Sequence, residues 1–227
     1  HAMPPLRHLR QKVIDGFQTL IEKTGLLGSS GFGYSAAVWQ EAAAAVFTPI
    51  GKPARMLISP PADQTDLQKK NSRASRFGYY NLHGLVDSVA WYGHNDPLDP
   101  LPGPDYPVAL HPDTLSASRK VPAFIFSAAC FGAHIQGKTA AQSLALSFLQ
   151  RGSRAFIGST CTSYGSLSAP LITADLLGYH FWKLAQAGIS AGEALRRAKL
   201  ALIEEMHRRQ GYLDGEDQKT LIAFNLY

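Results

Sequence analysis

Short apolar segments alternate with helical segments along most of this 227-residue chain. The apolar segments predict strands, and they cover residues 55–59, 79–84, 124–130, 155–158 and 221–224. Helical spacing or composition predicts helices over residues 5–23, 36–47, 66–76, 139–150, 171–187 and 190–208. Strands that alternate with helices usually pack as one mostly parallel sheet between two helical layers. The pattern therefore predicts an α/β fold, a three-layer α/β/α sandwich with a mostly parallel central sheet.

The first quarter of the chain differs in composition from the rest. Residues 1–54 combine an amphipathic helix, a glycine-rich stretch and an alanine-rich helix. We expect this N-terminal helical and glycine-rich region to pack on a main domain that spans residues 55–227. Segment 28–33 is predicted to be a glycine-rich turn, because it lacks the sequence of a phosphate-binding loop. The start at His1 resembles a cloning remnant, so we expect one domain of a longer protein.

The composition excludes several classes of protein. The net charge of +5 is spread along the chain, and basic residues do not interleave with aromatic ones, so no nucleic-acid partner is expected. No apolar run approaches the roughly 18 residues of a membrane span. Cys130 and Cys161 are the only cysteines, too few for a disulfide framework, and their spacing is not that of a Cys-x-x-Cys zinc site. A cytoplasmic location is expected in preference to secretion.

Two of the predicted strands end in chemically reactive side chains. One ends at His83, which Gly84 follows, and the other ends at Cys130 after three small residues. If the strands are neighbours in a parallel sheet, both side chains emerge at its carboxyl edge, where ligands collect in open α/β sheets. A thiol and an imidazole placed together suit nucleophilic catalysis by cysteine. The proline-rich segment 94–120 lies between them and is expected to form a wall of the substrate cleft.

Other chemistries fit the sequence less well. A metal site would need His94, His111 or His134 to join His83 and Cys130, and their spacings match no zinc pattern. No Gly-x-Ser-x-Gly segment exists, which argues against a serine hydrolase of the α/β-hydrolase type. We therefore expect neither a metal nor another cofactor.

The two motifs together resemble a known family. Leu82-His83-Gly84 and Ser127-Ala128-Ala129-Cys130, with the segments 143–159 and 191–199 that follow, resemble the caspase-like cysteine peptidases of clan CD. The similarity covers about residues 55–227 and is closest to gingipain-like and CHAT-domain members. Caspases also place the histidine about 50 residues before the cysteine.

This resemblance implies a fold, a reaction and a set of site residues. The fold would be caspase-like, and the protein would be a cysteine endopeptidase that hydrolyses peptide bonds through a thioester. Cys130 would be the nucleophile, and His83 would protonate the leaving amine and then activate water. The backbone N–H groups of Gly84 and Cys130 would form the oxyanion hole. The residues implied to bind substrate are Ser127, Thr160, Cys161 and Tyr164.

The resemblance leaves the substrate preference and the activity open. Ala128 stands where relatives that cleave after arginine or lysine often carry an acidic residue, so neither basic nor acidic specificity is implied. The expected partner is a polypeptide substrate, together with other domains of the same longer protein. Two alternatives remain: a catalytically silent interaction module on the same fold, and a peptidase that cleaves only itself.

Overall fold

The computed structural model describes residues 31–69, 75–116 and 121–227, and strands and helices alternate through most of them. The strands are β1 (Phe32–Ala36), β2 (Leu57–Ser59), β3 (Phe77–Asn81), β4 (His83–Gly84), β5 (Trp91–Tyr92), β6 (Val108–Leu110), β7 (Phe124–Ser127), β8 (Ala155–Ser159) and β9 (Phe224–Leu226). The helices are α1 (Gln40–Phe47), α2 (Gln64–Lys69), α3 (Pro112–Ser116), α4 (Leu144–Gln150), α5 (Thr173–Gln186), α6 (Ala191–Gln210) and α7 (Gly215–Ala223).

A six-stranded sheet forms the centre of the fold, in the order β2-β1-β3-β7-β8-β9. Its first five strands are parallel, and β9 is antiparallel to β8. A second sheet contains β4, β5 and β6 in antiparallel pairs. The predicted α/β class with a mostly parallel sheet is confirmed, and helices flank the sheet in a manner compatible with a three-layer sandwich.

Both faces of the central sheet are covered, because successive side chains of a strand point in opposite directions. Tyr79 and Phe126 belong to an apolar cluster with α1, α5 and α6. Their chain neighbours Tyr80 and Ile125 belong to a second cluster with α4 and the small sheet. Strands buried on both faces carry continuous apolar runs, which is why the sequence showed these strands so clearly.

Of the glycine-rich turn predicted over residues 28–33, Phe32 and Gly33 belong to strand β1, and residues 28–30 lie outside the described part of the chain. β1 pairs with β2 on one side and with β3 on the other. Gly33 lies where a side chain would not fit, because a Cβ there would stand 2.7 Å from the Met56 side chain and 3.0 Å from the Phe47 ring. β1 precedes the expected division between residues 54 and 55 and β2 follows it, so both sides of that division contribute strands to this sheet. The predicted helix over 5–23 lies outside the described residues.

Three further predictions differ from the structure in detail. The strand predicted over 79–84 breaks at Leu82, where the chain passes from the central sheet into the small one. The segment 94–120 contains β6 and α3 as well as a loop. The strand predicted over 221–224 is the end of α7, followed by β9. Within the described part of the chain, no helix is long and apolar enough to cross a membrane.

Candidate active site

The two strands that carry His83 and Cys130 are neighbours. β3 and β7 are parallel, with Tyr80 opposite Ser127 in the last register pair. His83 follows the end of β3 by two residues, and Cys130 follows the end of β7 by three. The prediction that both motifs emerge at the same carboxyl edge of one parallel sheet is confirmed.

Gly84 packs directly against the backbone of Cys130. A Cβ placed on Gly84 would overlap the carbonyl oxygen of Cys130 and would lie 3.4 Å from the Ala129 side chain. The approach of these two backbone segments therefore requires glycine. It fixes the histidine motif against the cysteine motif.

Cys130 lies on a tight turn that starts where β7 ends. The N–H of Gly132 donates to the Ala129 carbonyl oxygen at 3.1 Å, and the N–H of Phe131 donates to the Cys161 carbonyl oxygen at 2.8 Å. Phe131 has a φ of +54°, a left-handed conformation that a residue with a Cβ adopts at a cost of roughly 1–2 kcal/mol. The N–H of Cys130 makes no hydrogen bond to any described residue. It is available to a ligand.

The Cys130 thiol is held by the loop that follows β8. The N–H of Ser163 donates to Cys130 Sγ at 3.3 Å, and the thiol donates to the Ser163 carbonyl oxygen at 3.4 Å. The side chain is partly buried. Among the described residues, no hydrogen bond joins this sulfur to His83.

His83 sits in an aromatic cage. Its ring lies 4.4 Å from the Trp39 ring and 5.5 Å from the Tyr106 ring, centroid to centroid. Its Nε2 lies 3.0 Å from Nδ1 of His94. Burial, with a smaller electrostatic contribution from the neighbouring His94, lowers the pKa of His83 from 6.5 to about 4. His83 is therefore neutral near pH 7 and able to accept a proton.

Of the four residues implied to bind substrate, Ser127 is fully buried. Its hydroxyl accepts a hydrogen bond from the Ala129 N–H at 3.3 Å, so it supports the turn that carries Cys130. Gly132 packs against the same hydroxyl, since a Cβ there would stand 3.0 Å from it. Ser127 is therefore a buried support for the turn that carries Cys130.

The other three follow β8 and are partly buried. Thr160 is tied to α7, because its N–H and hydroxyl both donate to the Ala223 carbonyl oxygen. Cys161 meets the Cys130 turn through its carbonyl oxygen. Tyr164 has a charged neighbour, because the Lys219 ammonium lies 5.2 Å from its ring centroid and 3.4 Å from its hydroxyl.

A buried carboxylate anchors this loop, and sequence reasoning did not find it. Asp175 Oδ2 accepts a hydrogen bond from the Ser166 N–H at 2.6 Å, and Oδ1 accepts one from the Tyr79 hydroxyl at 3.1 Å. Burial raises the pKa of Asp175 from 3.8 to about 6, against the opposing effect of those hydrogen bonds. The sequence held one signal for this carboxylate, which is an acidic residue on the apolar face of the helix predicted over residues 171–187.

The histidines considered as metal ligands are separated in space. His94 meets His83, but His111 pairs with Asp113 beside α3, and His134 lies 6.3 Å from the Phe131 ring. Among residues 31–69, 75–116 and 121–227, no three His, Cys, Asp or Glu side chains converge as metal ligands would.

No protein-family model matches the chain, and no curated protein matches it either.

Proposed function

We propose that this protein is a cysteine endopeptidase of the caspase-like fold, with Cys130 as nucleophile and His83 as the acid–base residue. The observation that supports this best is the contact of Gly84 with the Cys130 backbone. It joins the histidine motif to the cysteine motif at the carboxyl edge of two neighbouring strands.

The reaction follows from the groups at this edge. His83 takes the proton of the Cys130 thiol, and the thiolate attacks the carbonyl carbon of the scissile peptide bond. The N–H groups of Cys130 and Gly84 donate to the oxyanion that forms. The C–N bond breaks as His83 gives its proton to the leaving amine, which leaves a thioester on Cys130. His83 then takes a proton from water, the hydroxide displaces the thiolate, and the acid product departs.

The turn geometry suits this role. The left-handed Phe131 follows the nucleophile directly, and strained backbone of this kind is concentrated at active sites. The unpaired N–H of Cys130 is the sort of donor an oxyanion hole needs. The thiol must leave its hydrogen bonds to Ser163 before it attacks, which a rotation about χ1 achieves.

A catalytically silent module, or one restricted to self-cleavage, is the second candidate. It is favoured by one observation: the hydrogen bonds of the Cys130 thiol are made with Ser163. If these bonds do not open, the thiol does not reach His83. The candidates therefore differ in the reactivity of Cys130.

A digest of a peptide library distinguishes them. The wild-type protein should cut peptides, and the pattern of cuts should give the preference at the position before the scissile bond. Cys130→Ala and His83→Ala should abolish cleavage, whereas the control His207→Ala, at an exposed position, should retain it. Absence of cleavage by the wild type would refute the endopeptidase and leave the silent or self-cleaving module.

Alkylation by iodoacetamide tests the same site without a substrate. Mass spectrometry of timed samples should show that Cys130 is modified faster than Cys161, and His83→Ala should slow only Cys130. Equal and slow modification of both cysteines would contradict an activated nucleophile.

A further inference from the structure

Backbone hydrogen bonds and two ring contacts hold His94 in place. Its backbone N–H donates to the Ser59 carbonyl oxygen at 3.1 Å, and its own carbonyl accepts from the Val38 N–H at 3.2 Å. The imidazole stacks on the Tyr106 ring at 4.5 Å with an interplanar angle of 28°. Its Nδ1 faces His83 Nε2 at 3.0 Å.

The loop that carries His94 is closed by its own hydrogen bonds. The Asn95 side chain is buried, donates to the Leu101 carbonyl oxygen at 2.7 Å and accepts from the Leu101 N–H at 2.9 Å. The Asn95 N–H also donates to the Asp105 carbonyl oxygen, and the Gly93 N–H to that of Pro107. These bonds cross the base of the loop on both sides of His94. The loop is thus a support for His94.

An imidazole has two nitrogens, and in the neutral ring one donates while the other accepts. Because His94 occupies Nε2 of His83, proton exchange with Cys130 and with the leaving amine must use Nδ1. That nitrogen can accept the thiol proton only if the ring hydrogen of neutral His83 resides on Nε2. A hydrogen bond donated by His83 Nε2–H to His94 Nδ1, across the observed 3.0 Å, would hold it there.

We propose that His94 is a positioning residue for the proposed peptidase reaction, which accepts a hydrogen bond from His83 Nε2–H and keeps Nδ1 of His83 free to take the proton of Cys130. This inference rests on the proposed function. The bond also persists after proton transfer, because imidazolium donates from both nitrogens. His94 then orients the charged ring while Nδ1–H donates to the leaving amine.

The structure describes contacts of several side chains with His83. Of these side chains, only His94 is placed to accept a hydrogen bond from Nε2. Trp39 presents a ring face, and Tyr106 meets His83 edge to face. Tyr92 lies opposite His83 in the β4–β5 pair, and its hydroxyl is bonded to Ser88. The titratable groups around the ring are therefore Tyr92, His94, Tyr106 and, beyond Gly84, Cys130, and the contact that the structure describes for Nε2 is with His94.

Two substitutions separate positioning from packing. His94→Phe keeps a ring to stack on Tyr106 and removes the acceptor, so kcat/KM on a cleaved peptide should fall about 100-fold, mainly in kcat, as expected for a misplaced catalytic group. His94→Asn keeps an acceptor oxygen near the position of Nδ1 and should recover most of that loss. The exposed His207→Phe is the matched control and should behave as wild type. Equal losses in the Phe and Asn variants would overturn the proposal.

Nitrogen-15 NMR of the imidazoles tests the hydrogen bond without any substrate. Wild-type protein should show neutral His83 with its hydrogen on Nε2 and a coupling between that nitrogen and His94 Nδ1, which His94→Phe should abolish. Hydrogen on Nδ1 of His83 would overturn the proposal even if peptides are cleaved. If no peptide is cleaved, the proposed function fails. In that case the same NMR result, and slower alkylation of Cys130 in His94→Phe than in His94→Asn, still decide the role of His94.

Discussion

Replacement of the buried Asp175 by asparagine should stabilise the protein. Burial raises the pKa of this carboxyl from 3.8 to about 6, and each pKa unit corresponds to about 1.4 kcal/mol. Ionised Asp175 therefore lowers the free energy of unfolding by about 3 kcal/mol above pH 6. Asparagine has the same shape, can accept from the Ser166 N–H and can donate to the Tyr79 oxygen. It removes the buried charge, keeps the contact with Ser166 and reverses the direction of the hydrogen bond with Tyr79.

The sign of the pH dependence follows from proton binding. Between pH 3.8 and about 6 the folded state holds more protons on Asp175 than the unfolded state, so this carboxyl lowers stability as pH rises through that window. His83 acts in the opposite direction, because its folded pKa is lowered to about 4 and the folded state binds fewer protons than the unfolded state. The His83 contribution is common to wild type and variant. It cancels in the difference between them.

Chemical denaturation at a series of pH values measures that difference. Asp175→Asn should be more stable than wild type by about 3 kcal/mol at pH 7.5, and the two proteins should become equally stable near pH 4. For a chain of this length about 1 kcal/mol corresponds to roughly 2–4 °C in Tm, so the gain should reach roughly 6–12 °C. Asp99→Asn, at an exposed position, should change little. A variant less stable than wild type at pH 7.5, or a difference independent of pH, would refute the reasoning.

Three further predictions concern the site. Gly84→Ala should abolish peptide cleavage and slow alkylation of Cys130 in timed mass spectrometry, because its Cβ overlaps the Cys130 carbonyl oxygen; unchanged alkylation would contradict the contact. Phe131→Gly should be more stable to urea than Phe131→Ala by about 1 kcal/mol, because only glycine adopts a φ of +54° without strain; the reverse order would exclude strain at this position. With a His83 pKa of about 4, the acid limb of the kcat/KM profile should lie well below pH 6.5; a limb at pH 6.5 would indicate that His83 is not buried as described.

The central strands were predictable because burial on both faces leaves an unbroken apolar run. β7 and β8 begin at the predicted residues, and their ends lie three residues and one residue from the predicted ends. β1 was not predictable in this way, since its glycine reads as a turn signal. Gly33 is there because Phe47 and Met56 occupy the space of its side chain, and that requirement arises only when the helix and the sheet have packed.

The site was predictable only where it depends on strand order. His83 and Cys130 each end a strand, so a parallel neighbour relation was enough to bring them to one edge. The contact of His94 with His83 depends on the path of a proline-rich loop, which hydrophobic periodicity does not describe. Asp175 appears in the sequence as a single acid on a helix, and its partners Tyr79 and Ser166 lie on other elements. Tertiary hydrogen bonds of this kind leave no local pattern.

The two sheets position different residues of the site. The central sheet and α5 place the nucleophile, because β7 leads to Cys130 and the Thr173 hydroxyl holds the Tyr164 carbonyl next to Ser163. The small sheet and the loop that follows it place the base, since β4 carries His83 and the chain beyond β5 carries its partner. Gly84 is a close contact between these two units. The position of one sheet against the other therefore sets the geometry between the thiol and the imidazole.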